Sequence, residues 1–222
     1  MSTQTVVITG ANRGIGLALT QQYRAAGARV IAICRHASSA LHETGAEVIE
    51  GIDVTRESDL LRLRDQLTDV NIDILINNAG LLHREALGEL DGATMRAQFE
   101  VNALAPILLT EQLRSQLRRG SKVIMITSRM GSVADNGSGA YYGYRMSKAA
   151  LNAGSKSLAL DLKDAGIAVG LIHPGFVQTE MVNNAGDISA DEAAERIINR
   201  IDELSLAKTG SFRHSNGDDL PW

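Results

Sequence analysis

Six short runs of apolar and β-branched residues recur along the chain, and segments with helical spacing of apolar positions lie between them. The runs are TVVIT (5–9), ARVIAIC (28–34), AEVIE (46–50), IDILIN (72–77), KVIMIT (122–127) and IAVGLIH (167–173). Each run predicts a strand that is buried on both faces. Alternation of strands and helices favours right-handed βαβ units. We therefore predict an α/β fold with a doubly wound parallel sheet, the Rossmann fold, in a single domain over residues 1–222.

Two of the predicted helices are long. The first covers residues 92–117 and contains Pro106, which lacks an amide hydrogen and should kink the helix or mark its restart. The second covers residues 142–163, and its small apolar residues fit either burial against the sheet or a contact between subunits. From the two long helices we expect a homodimer or a homotetramer. The polar tail GSFRHSNGDDLPW predicts a last short strand before a turn at Asn216 and Gly217.

Composition and charge argue against several classes of protein. The formal net charge is −4 and the basic residues are scattered, so we predict no binding of nucleic acid. No run of about 18 apolar residues predicts a membrane span, and the amino-terminal stretch MSTQTVVITG does not resemble an export signal. Cys34 is the single cysteine, which excludes an internal disulfide and fits a reducing compartment. We expect a cytoplasmic protein that has no metal site and acts on a small molecule.

The first predicted strand runs directly into TGANRGIG, a loop with glycines at positions 10, 14 and 16 that precedes a helix. A turn this tight needs residues that tolerate positive φ. Without side chains, glycines also let backbone amides approach an anion at the amino terminus of the helix. The loop therefore predicts a pyrophosphate site inside the first βαβ unit, against the alternative of a plain turn between strand and helix.

The end of the second strand predicts the type of dinucleotide. An acidic residue there would bind the adenosine 2′-hydroxyl of NAD, whereas an arginine nearby accommodates the 2′-phosphate of NADP. Here Cys34 takes the acidic position, Arg35 follows it, and Arg13 of the glycine loop belongs to the same region. NADP(H) is therefore favoured over NAD(H), unless Arg35 is only a solvated residue at a strand end.

Polar residues also follow the third and fourth strands. Asp53, in GIDVT, fits either a hydrogen bond to an adenine amino group or a cap for the helix near Arg56. Asn78 and Gly80 belong to NNAG at the carboxyl edge of the sheet, where doubly wound folds bind ligands. Asparagine amides at this edge can tie neighbouring strand ends together, and a role in a turn is the competing interpretation.

Tyr144 and Lys148 lie four positions apart in YYGYRMSK, so a helix places both side chains on one face. A free tyrosine has a pKa of about 10, which makes it a poor proton donor and acceptor at neutral pH. A neighbouring ammonium and a cationic nicotinamide both favour the phenolate, so we expect the pKa of Tyr144 to be lowered. Such a pair can give a proton to a carbonyl oxygen or take one from an alcohol.

Six motifs occur in one order along nearly the whole chain: TGANRGIG, DVT, NNAG, a serine after the fifth strand, YxxxK, and PG after the sixth strand. The chain thereby resembles the short-chain dehydrogenase/reductase family. Within that family, the stretches SRMGSVADNGSGAYYGYRMSKAAL and IHPGFVQTEM and the PW ending resemble the C-factor and Sniffer-type carbonyl reductases.

The resemblance implies four catalytic residues. Asn102 matches the asparagine whose helix backbone holds a water in a proton relay toward the lysine. Ser128 matches the serine that orients the substrate oxygen, and Tyr144 matches the acid and base. Lys148 matches the residue that binds the nicotinamide ribose hydroxyls and lowers the pKa of the tyrosine.

The identity of the catalytic serine stays open between two positions. Ser128 lies 16 positions before Tyr144, somewhat more than is usual in the family, whereas Ser132 lies 12 before it. Ser128 is preferred because it directly follows the strand and precedes Gly131 by three positions, as in the family's SxxG pattern.

The resemblance also implies a cofactor site in which the glycine loop, the adenine pocket, the sheet-edge motif and the segment after the sixth strand take part. Its predicted residues are Gly10, Asn12, Arg13, Gly14, Ile15, Gly16, Arg35, Asp53, Val54, Asn78, Ala79, Gly80, Tyr144, Lys148, Pro174, Gly175, Val177 and Thr179.

These features together predict an NADP(H)-dependent enzyme that reduces the carbonyl of a small aldehyde, ketone or dicarbonyl, or oxidises the alcohol, with Tyr144 as acid/base. The short segment FVQTEMVNNAGD after Gly175 implies an open substrate site that discriminates poorly. A regulatory or signalling protein of the C-factor type, with little turnover, is the alternative, and the intact set of four catalytic residues argues against it. An epimerase or dehydratase would need a larger carboxyl-terminal substrate domain.

Overall fold

The computed structural model describes residues 3–222, and these form one sheet of seven parallel strands. The strand order is β3-β2-β1-β4-β5-β6-β7. The strands are β1 (Thr5–Thr9), β2 (Arg29–Ile33), β3 (Glu47–Ile49), β4 (Ile72–Asn77), β5 (Leu117–Ile126), β6 (Ala168–His173) and β7 (Ser211–His214). The predicted α/β fold with a doubly wound parallel sheet is confirmed, as is the last short strand.

Within residues 3–222, seven α-helices connect the strands and cover the sheet. They are α1 (Gly14–Ala25), α2 (Ser39–Glu43), α3 (Glu57–Gln66), α4 (Gly92–Phe99), α5 (Ala105–Gln112), α6 (Tyr142–Asp161) and α7 (Ala190–Glu203). A π-helical turn, Glu100–Leu104, joins α4 to α5, and a 3-10 turn, Arg129–Gly131, follows β5. In this described part of the chain, no helix has both the length and the apolar character needed to cross a membrane.

Two apolar layers lie on opposite faces of the sheet. Successive side chains of a strand point to opposite faces, so Val7 and Leu75 belong to one layer while Val6 and Ile74 belong to the other. The first layer packs against α3, α5 and α6, and the second packs against α1, α2 and α7. Burial of both faces explains why the strands appear in the sequence as continuous apolar runs.

The first long helix differs from its prediction. α4 ends at Phe99, the π-helical turn follows, and α5 begins at Ala105. Pro106 therefore lies in the first turn of a new helix, as the restart predicted, because its missing amide hydrogen is not needed there. The predicted end at residue 117 is wrong, since α5 ends at Gln112 and Leu117 already pairs with β4 in the sheet.

The carboxyl ends of β1, β4, β5 and β6 lie side by side at one edge of the sheet. The strand order reverses at β1, because β2 and β3 are added on one side of it and β4 to β7 on the other. The connections that leave β1 and β4 diverge, and this opens a crevice at the edge. The glycine loop, NNAG, Ser128 and Pro174 lie at or within two positions of the ends of these four strands. The fold thus gathers the predicted site residues at one place.

Leu75→Ala tests the assignment of the core. Leu75 has no exposed surface and lies in the middle of the sheet, where strands on both sides hold its backbone. Because the cavity cannot close, we expect the free energy of unfolding to fall by about 2–5 kcal/mol. Leu160→Ala, where the side chain is 63% exposed on α6, is the matched control and should lose less than ~0.5 kcal/mol. Urea titration measures both, and equal losses would contradict the assignment.

Candidate active site

A cleft of about 420 Å³ runs along the carboxyl edge of the sheet. Its walls come from the glycine loop, the ends of β2, β4 and β5, the start of α6 and the segment after β6. The predicted residues that line it are Gly10, Asn12, Arg13, Gly14, Ile15, Arg35, Asp53, Val54, Asn78, Ala79, Gly80, Tyr144, Lys148, Pro174 and Thr179. Five of the six motifs therefore meet in one cleft.

The other predicted site residues lie outside the lining of the cleft: Gly16, Gly175, Val177, Asn102 and Ser128. Gly16 packs behind the glycine loop, where an added Cβ would lie 2.2 Å from the Gly10 carbonyl oxygen. Val177 is buried, and its backbone pairs with Ile188. Gly16 and Val177 therefore support the glycine loop and the segment after β6, which form walls of the cleft.

Several lining residues were not predicted, among them Leu81, Ile126, Thr127, Gln178, Glu180 and Asn184. For Ile126 and Thr127 a signal exists, because the last residues of a parallel strand reach the carboxyl edge of the sheet. No such signal distinguishes Gln178 or Glu180, which belong to an irregular segment whose path depends on tertiary packing.

The glycine loop forms a cradle that side chains would fill. Gly10 and Gly14 have φ values of 64° and 52°, in the left-handed region that strains other residues. A Cβ on Gly10 would lie 2.9 Å from Ala79 Cα, and one on Gly14 would lie 3.2 Å from Thr179 Cγ2. Gly14 also begins α1, whose first amides face this space. The cradle therefore fits the pyrophosphate of a dinucleotide.

NNAG ties β4 to β1, which confirms one of the two interpretations of this motif. Asn78 Nδ2 donates to the carbonyl oxygens of Thr9 and Gly10, at 3.0 and 3.1 Å. The amides of Asn78 and Ala79 donate to Thr9 Oγ1 at 3.0 and 3.1 Å. These four hydrogen bonds hold the glycine loop against the end of the neighbouring strand.

The residues predicted to choose between NADP and NAD lie on the β2 side of the cleft. Cys34 is buried, and burial raises the pKa of its thiol, so it is a small apolar residue and not a thiolate. Arg35 is exposed at the end of β2. Arg13 forms an ion pair with Glu180, which also lines the cleft. Two guanidinium groups therefore border this part of the cleft.

Asp53 closes a turn at the edge of the cleft. Its Oδ1 accepts hydrogen bonds from the Thr55 amide at 3.0 Å and the Thr55 hydroxyl at 2.7 Å. α3 begins at Glu57, and Arg56 in its N-cap position makes no side-chain cap bond. Asp53 thus orders the turn before the helix while it lines the cleft, and its contact with an adenine stays a prediction.

Ser128, Tyr144 and Lys148 meet at the opposite end of the cleft. Ser128 lies two positions after the end of β5 and is 6% exposed, and its hydroxyl accepts a hydrogen bond from the Met130 amide at 3.1 Å and faces the Tyr144 phenol. Tyr144 lies in the first turn of α6 and is half-buried. Lys148 is 5% exposed, its Nζ donates to the Ile126 carbonyl at 2.8 Å, and this atom lies 5.9 Å from the centre of the Tyr144 ring. Tyr144 and Lys148 therefore lie on one face of α6, as their spacing predicted.

The alternative serine has a different partner. Ser132 is buried, and its hydroxyl accepts a hydrogen bond from the Asp135 amide at 3.1 Å in the loop before α6. Ser128 is the serine whose hydroxyl lies beside the Tyr144 phenol. The geometry therefore favours Ser128 over Ser132.

Burial determines the pKa values of the tyrosine and the lysine. It raises the pKa of Tyr144 to about 12, and the nearby Ser128 hydroxyl offsets only part of this rise. It lowers the pKa of Lys148 to about 8, since desolvation favours the neutral amine. For Tyr144 the direction is opposite to our prediction, because the loss of solvent is the largest contribution.

Asn102 lies in the π-helical turn and has no exposed surface. Its Nδ2 donates to the Leu81 carbonyl at 2.7 Å and to Ser147 Oγ at 3.0 Å, and its Oδ1 accepts from the Leu81 amide at 2.7 Å. Such turns inside helices occur frequently at functional sites. The side chain therefore joins the loop after β4 to α6. The water relay that we predicted involves the backbone of the turn and not this side chain.

The parallel sheet, the glycine cradle and the cluster around Tyr144 define a dinucleotide-binding oxidoreductase. A family model described as short chain dehydrogenase matches residues 4–190. The chain therefore belongs to the short-chain dehydrogenase family, as its motifs predicted.

Two curated relatives and one solved structure extend this assignment. The chain is 37% identical over 224 residues to 1-hydroxy-2-glutathionyl-2-methyl-3-butene dehydrogenase of Rhodococcus sp. (strain AD45), covering 98% of this chain and 99% of that protein. It is 41% identical over 154 residues to C-signal of Myxococcus xanthus, covering 68% and 93%. The structure of NADPH-bound carbonyl reductase from chicken fatty liver matches the whole of both chains with a TM-score of 0.90 at 26% identity. The resemblance to C-factor and carbonyl reductases is confirmed.

His173, at the end of β6, is a buried titratable residue beside the site that the motifs do not identify. It is 8% exposed, and its ring packs edge-on against His214 with 4.8 Å between ring centres. Its Nδ1 has no hydrogen-bond partner in the described part of the chain. Burial, with a further contribution from His214 and then Arg129, lowers the pKa of His173 to about 3.

Acid sensitivity tests this burial. A folded-state pKa of about 3 lies below the unfolded value of about 6.5, so the unfolded chain binds more protons and stability falls as pH drops through this window. Between pH 7 and pH 5 we expect the free energy of unfolding of the wild type to fall by about 2 kcal/mol because of His173. His173→Gln should not show this loss. His42→Gln, on the exposed end of α2, is the control. Urea titrations at both pH values measure the free energy of unfolding. A loss between pH 7 and pH 5 that is as large in His173→Gln as in the wild type would contradict the prediction.

Proposed function

We propose that this protein is an NADP(H)-dependent oxidoreductase that reduces the carbonyl of a small aldehyde, ketone or dicarbonyl, or oxidises the corresponding alcohol. The observation that carries the proposal is the meeting of Ser128, Tyr144 and Lys148 at the end of a cleft whose other walls include the glycine cradle. A bound nicotinamide would supply the hydride for the carbonyl carbon.

In this proposal Tyr144 moves the proton and Ser128 orients the substrate. The Ser128 hydroxyl, which lies beside the phenol, donates to the carbonyl oxygen and holds it beside Tyr144. Tyr144 then gives its proton to that oxygen as negative charge develops there, or takes it back in the reverse direction. The raised pKa of Tyr144 keeps the phenol protonated until the cleft is occupied, which suits an acid that acts in reduction.

Lys148 binds the ribose of the nicotinamide and supports the tyrosine. Although burial lowers its pKa to about 8, the side chain stays mostly protonated at neutral pH. An ammonium 5.9 Å from the ring of Tyr144 favours the phenolate and lowers its pKa. Asn102 contributes through the π-helical turn, whose backbone would hold a water for the proton relay.

The choice of NADP(H) over NAD(H) rests on charge at the β2 side of the cleft. Arg35 and Arg13 both line the cleft, and Cys34 takes the place of the acidic residue that would bind a 2′-hydroxyl. Guanidinium groups bind phosphate through charge-assisted hydrogen bonds. Arg13 would exchange Glu180 for the 2′-phosphate, whereas Arg35 is exposed and ready to bind it.

The substrate side of the cleft is open and apolar. Met181, in the short segment after β6, lines the cleft and is 42% exposed, and Phe176 of the same segment is 47% exposed. Such an open surface accepts small carbonyl compounds of different shapes, because an apolar surface discriminates weakly between them. The proposal therefore concerns a class of substrates and not a single compound.

Assembly and location complete the proposal. Leu104, Leu108 and Met146 are 38%, 51% and 55% exposed on the π-helical turn, α5 and α6. Exposed apolar residues on neighbouring helices favour contact with another subunit, so we propose a homodimer or a homotetramer. The free, buried Cys34 is compatible with the reducing cytoplasm.

A regulatory protein that binds dinucleotide with little turnover is the second candidate. The identity of 41% with C-signal of Myxococcus xanthus is the observation that favours it. It uses the same cradle, so cofactor binding alone does not separate the two functions.

Assays with a panel of carbonyl compounds distinguish the enzyme from the regulatory protein. We expect purified protein to oxidise NADPH in the presence of small dicarbonyls or quinones, with kcat/KM for NADPH at least about tenfold above that for NADH. Absorbance at the reduced nicotinamide band measures the rate. Measurable NADPH binding without turnover of any carbonyl would favour the regulatory function instead.

Tyr144→Phe tests the acid/base. Loss of the phenolic proton should reduce kcat by about 100-fold or more, while the Kd for NADPH stays within about threefold, since the ring remains. Tyr142→Phe, two positions earlier in YYGYRMSK, is the matched control with near-normal kcat. Substantial activity in Tyr144→Phe would refute the assignment.

Arg35→Ala tests the cofactor preference. Loss of one charge-assisted bond to the 2′-phosphate should weaken NADPH binding by about 10- to 100-fold and leave NADH binding unchanged. Arg114→Ala, in the turn before β5 at the opposite edge of the sheet, is the control. Fluorescence titration gives both Kd values, and equal losses for the two cofactors would show that Arg35 does not read the phosphate.

A further inference from the structure

The amino terminus of α6 has no cap of its own. Tyr141, in the N-cap position, forms no side-chain hydrogen bond to the helix. Ala140 and Tyr141 both have left-handed φ values, 51° and 52°. Non-glycine residues in this region are strained and persist only where surrounding contacts hold them. The helical turn that carries Tyr144 therefore depends on contacts from elsewhere in the chain.

Glu85 supplies these contacts from the loop after β4. Its side chain is 3% exposed, and its Oε2 accepts a hydrogen bond from the Gly143 amide at 3.2 Å. Its backbone carbonyl accepts from the Tyr141 amide at 2.8 Å. A carboxylate at the first amides of a helix satisfies a free donor and interacts favourably with the helix dipole. Glu85 thus caps α6 from 58 positions away.

Gln98 of α4 holds Glu85 in this position. Its Nε2 donates to Glu85 Oε1, and its Oε1 accepts from the His83 amide at 2.9 Å. Gln98 has no exposed surface. The hydrogen bonds therefore form one buried network from the loop after β4 through α4 to α6, in which each donor faces an acceptor.

Gly143 is the point where this network reaches α6. An added Cβ would lie 2.5 Å from Gln98 Nε2 and 2.9 Å from Met95 Cα. The absence of a side chain lets α4 approach closely enough for Glu85 to reach the Gly143 amide. Tyr144 is the next residue, so a shift of the cap moves the phenol directly.

We propose that Glu85 is a positioning residue for the reaction: it holds the first turn of α6 and thereby directs the Tyr144 phenol toward Ser128. This inference rests on the proposed function, in which Tyr144 is the acid/base. Glu85 does not line the cleft, so it acts on turnover and not on cofactor affinity. A displacement of about 1 Å at the reacting groups can reduce a rate about 100-fold.

Glu85→Gln is the first test, because it keeps the size of the side chain and replaces one acceptor by a donor. Two donors must then face each other at one of three places: Gln98 Nε2, the Gly143 amide or, if Gln98 turns its amide over, the His83 amide. We expect kcat to fall at least about tenfold while the Kd for NADPH stays within about twofold. Hydrogen exchange of residues 141–148, followed by mass spectrometry, should become faster. Glu89→Gln, exposed in the same loop, is the control for both measurements.

The exchanged pair Glu85→Gln/Gln98→Glu is the second test. Gln at 85 can accept from the Gly143 amide and donate to Glu at 98, which still accepts from the His83 amide. Each donor again faces an acceptor, and the total charge is that of the wild type. We expect kcat to return to within about threefold of the wild type, and hydrogen exchange to return with it.

Three results would overturn the proposal: unchanged kcat in folded Glu85→Gln, unchanged hydrogen exchange of residues 141–148, or a folded exchanged pair as impaired as the single variant. If Glu85→Gln does not fold, kcat of the exchanged pair tests the proposal, since its turnover returns only if Tyr144 is correctly positioned. Failure of the proposed function has a different signature. The wild type then oxidises no NADPH with any carbonyl, while hydrogen exchange still reports whether Glu85 holds α6.

Discussion

The pairing of β1 with β4 is the contact on which the rest of the structure depends. Because β2 occupies the other side of β1, this pairing creates the point where the strand order reverses and the crevice opens. Thr9 and Asn78 lock the two strand ends together by hydrogen bonds between side chain and backbone. The glycine loop then crosses so closely over the end of β4 that Gly10 and Gly16 leave no room for a Cβ. One strand pairing thus determines the position and the shape of the cleft.

The reactive end of the cleft depends on how α6 is held. Three of its turns are fixed by hydrogen bonds from other elements: Gly143 donates to Glu85, Ser147 accepts from Asn102, and Asn152 accepts from Thr127. These partners belong to the loop after β4, the π-helical turn and the end of β5. A helix anchored at successive turns keeps its side chains in constant directions, and catalysis needs reacting groups placed to within a fraction of an ångström. The polar contacts of α6 therefore serve its chemistry as well as its stability.

Most of the fold followed from local patterns. β1 and β4 coincide with the predicted runs because both faces of a central parallel strand are buried and the whole run must be apolar. The end of the first long helix was wrong at residue 117, since helical spacing continues past Gln112 and only pairing with β4 draws Leu117 into the sheet. Within the site, the glycine cradle and the Tyr144 and Lys148 pair were visible in the sequence. Glu180 and Glu85 were not, because their partners lie 167 and 58 positions away.

The sequence by itself determined the α/β class, the glycine turn, and the face of α6 that presents Tyr144 with Lys148, because each depends on residues within a few positions of one another. Only the tertiary structure decided the electrostatics and the direction of these groups. Burial raises the pKa of Tyr144 and lowers that of Lys148, and desolvation is a property of everything that surrounds a group in space. The position of Ser128 beside Tyr144 and the capping of α6 by Glu85 have the same origin. Both depend on contacts between segments that meet only when the sheet and its helices are packed together.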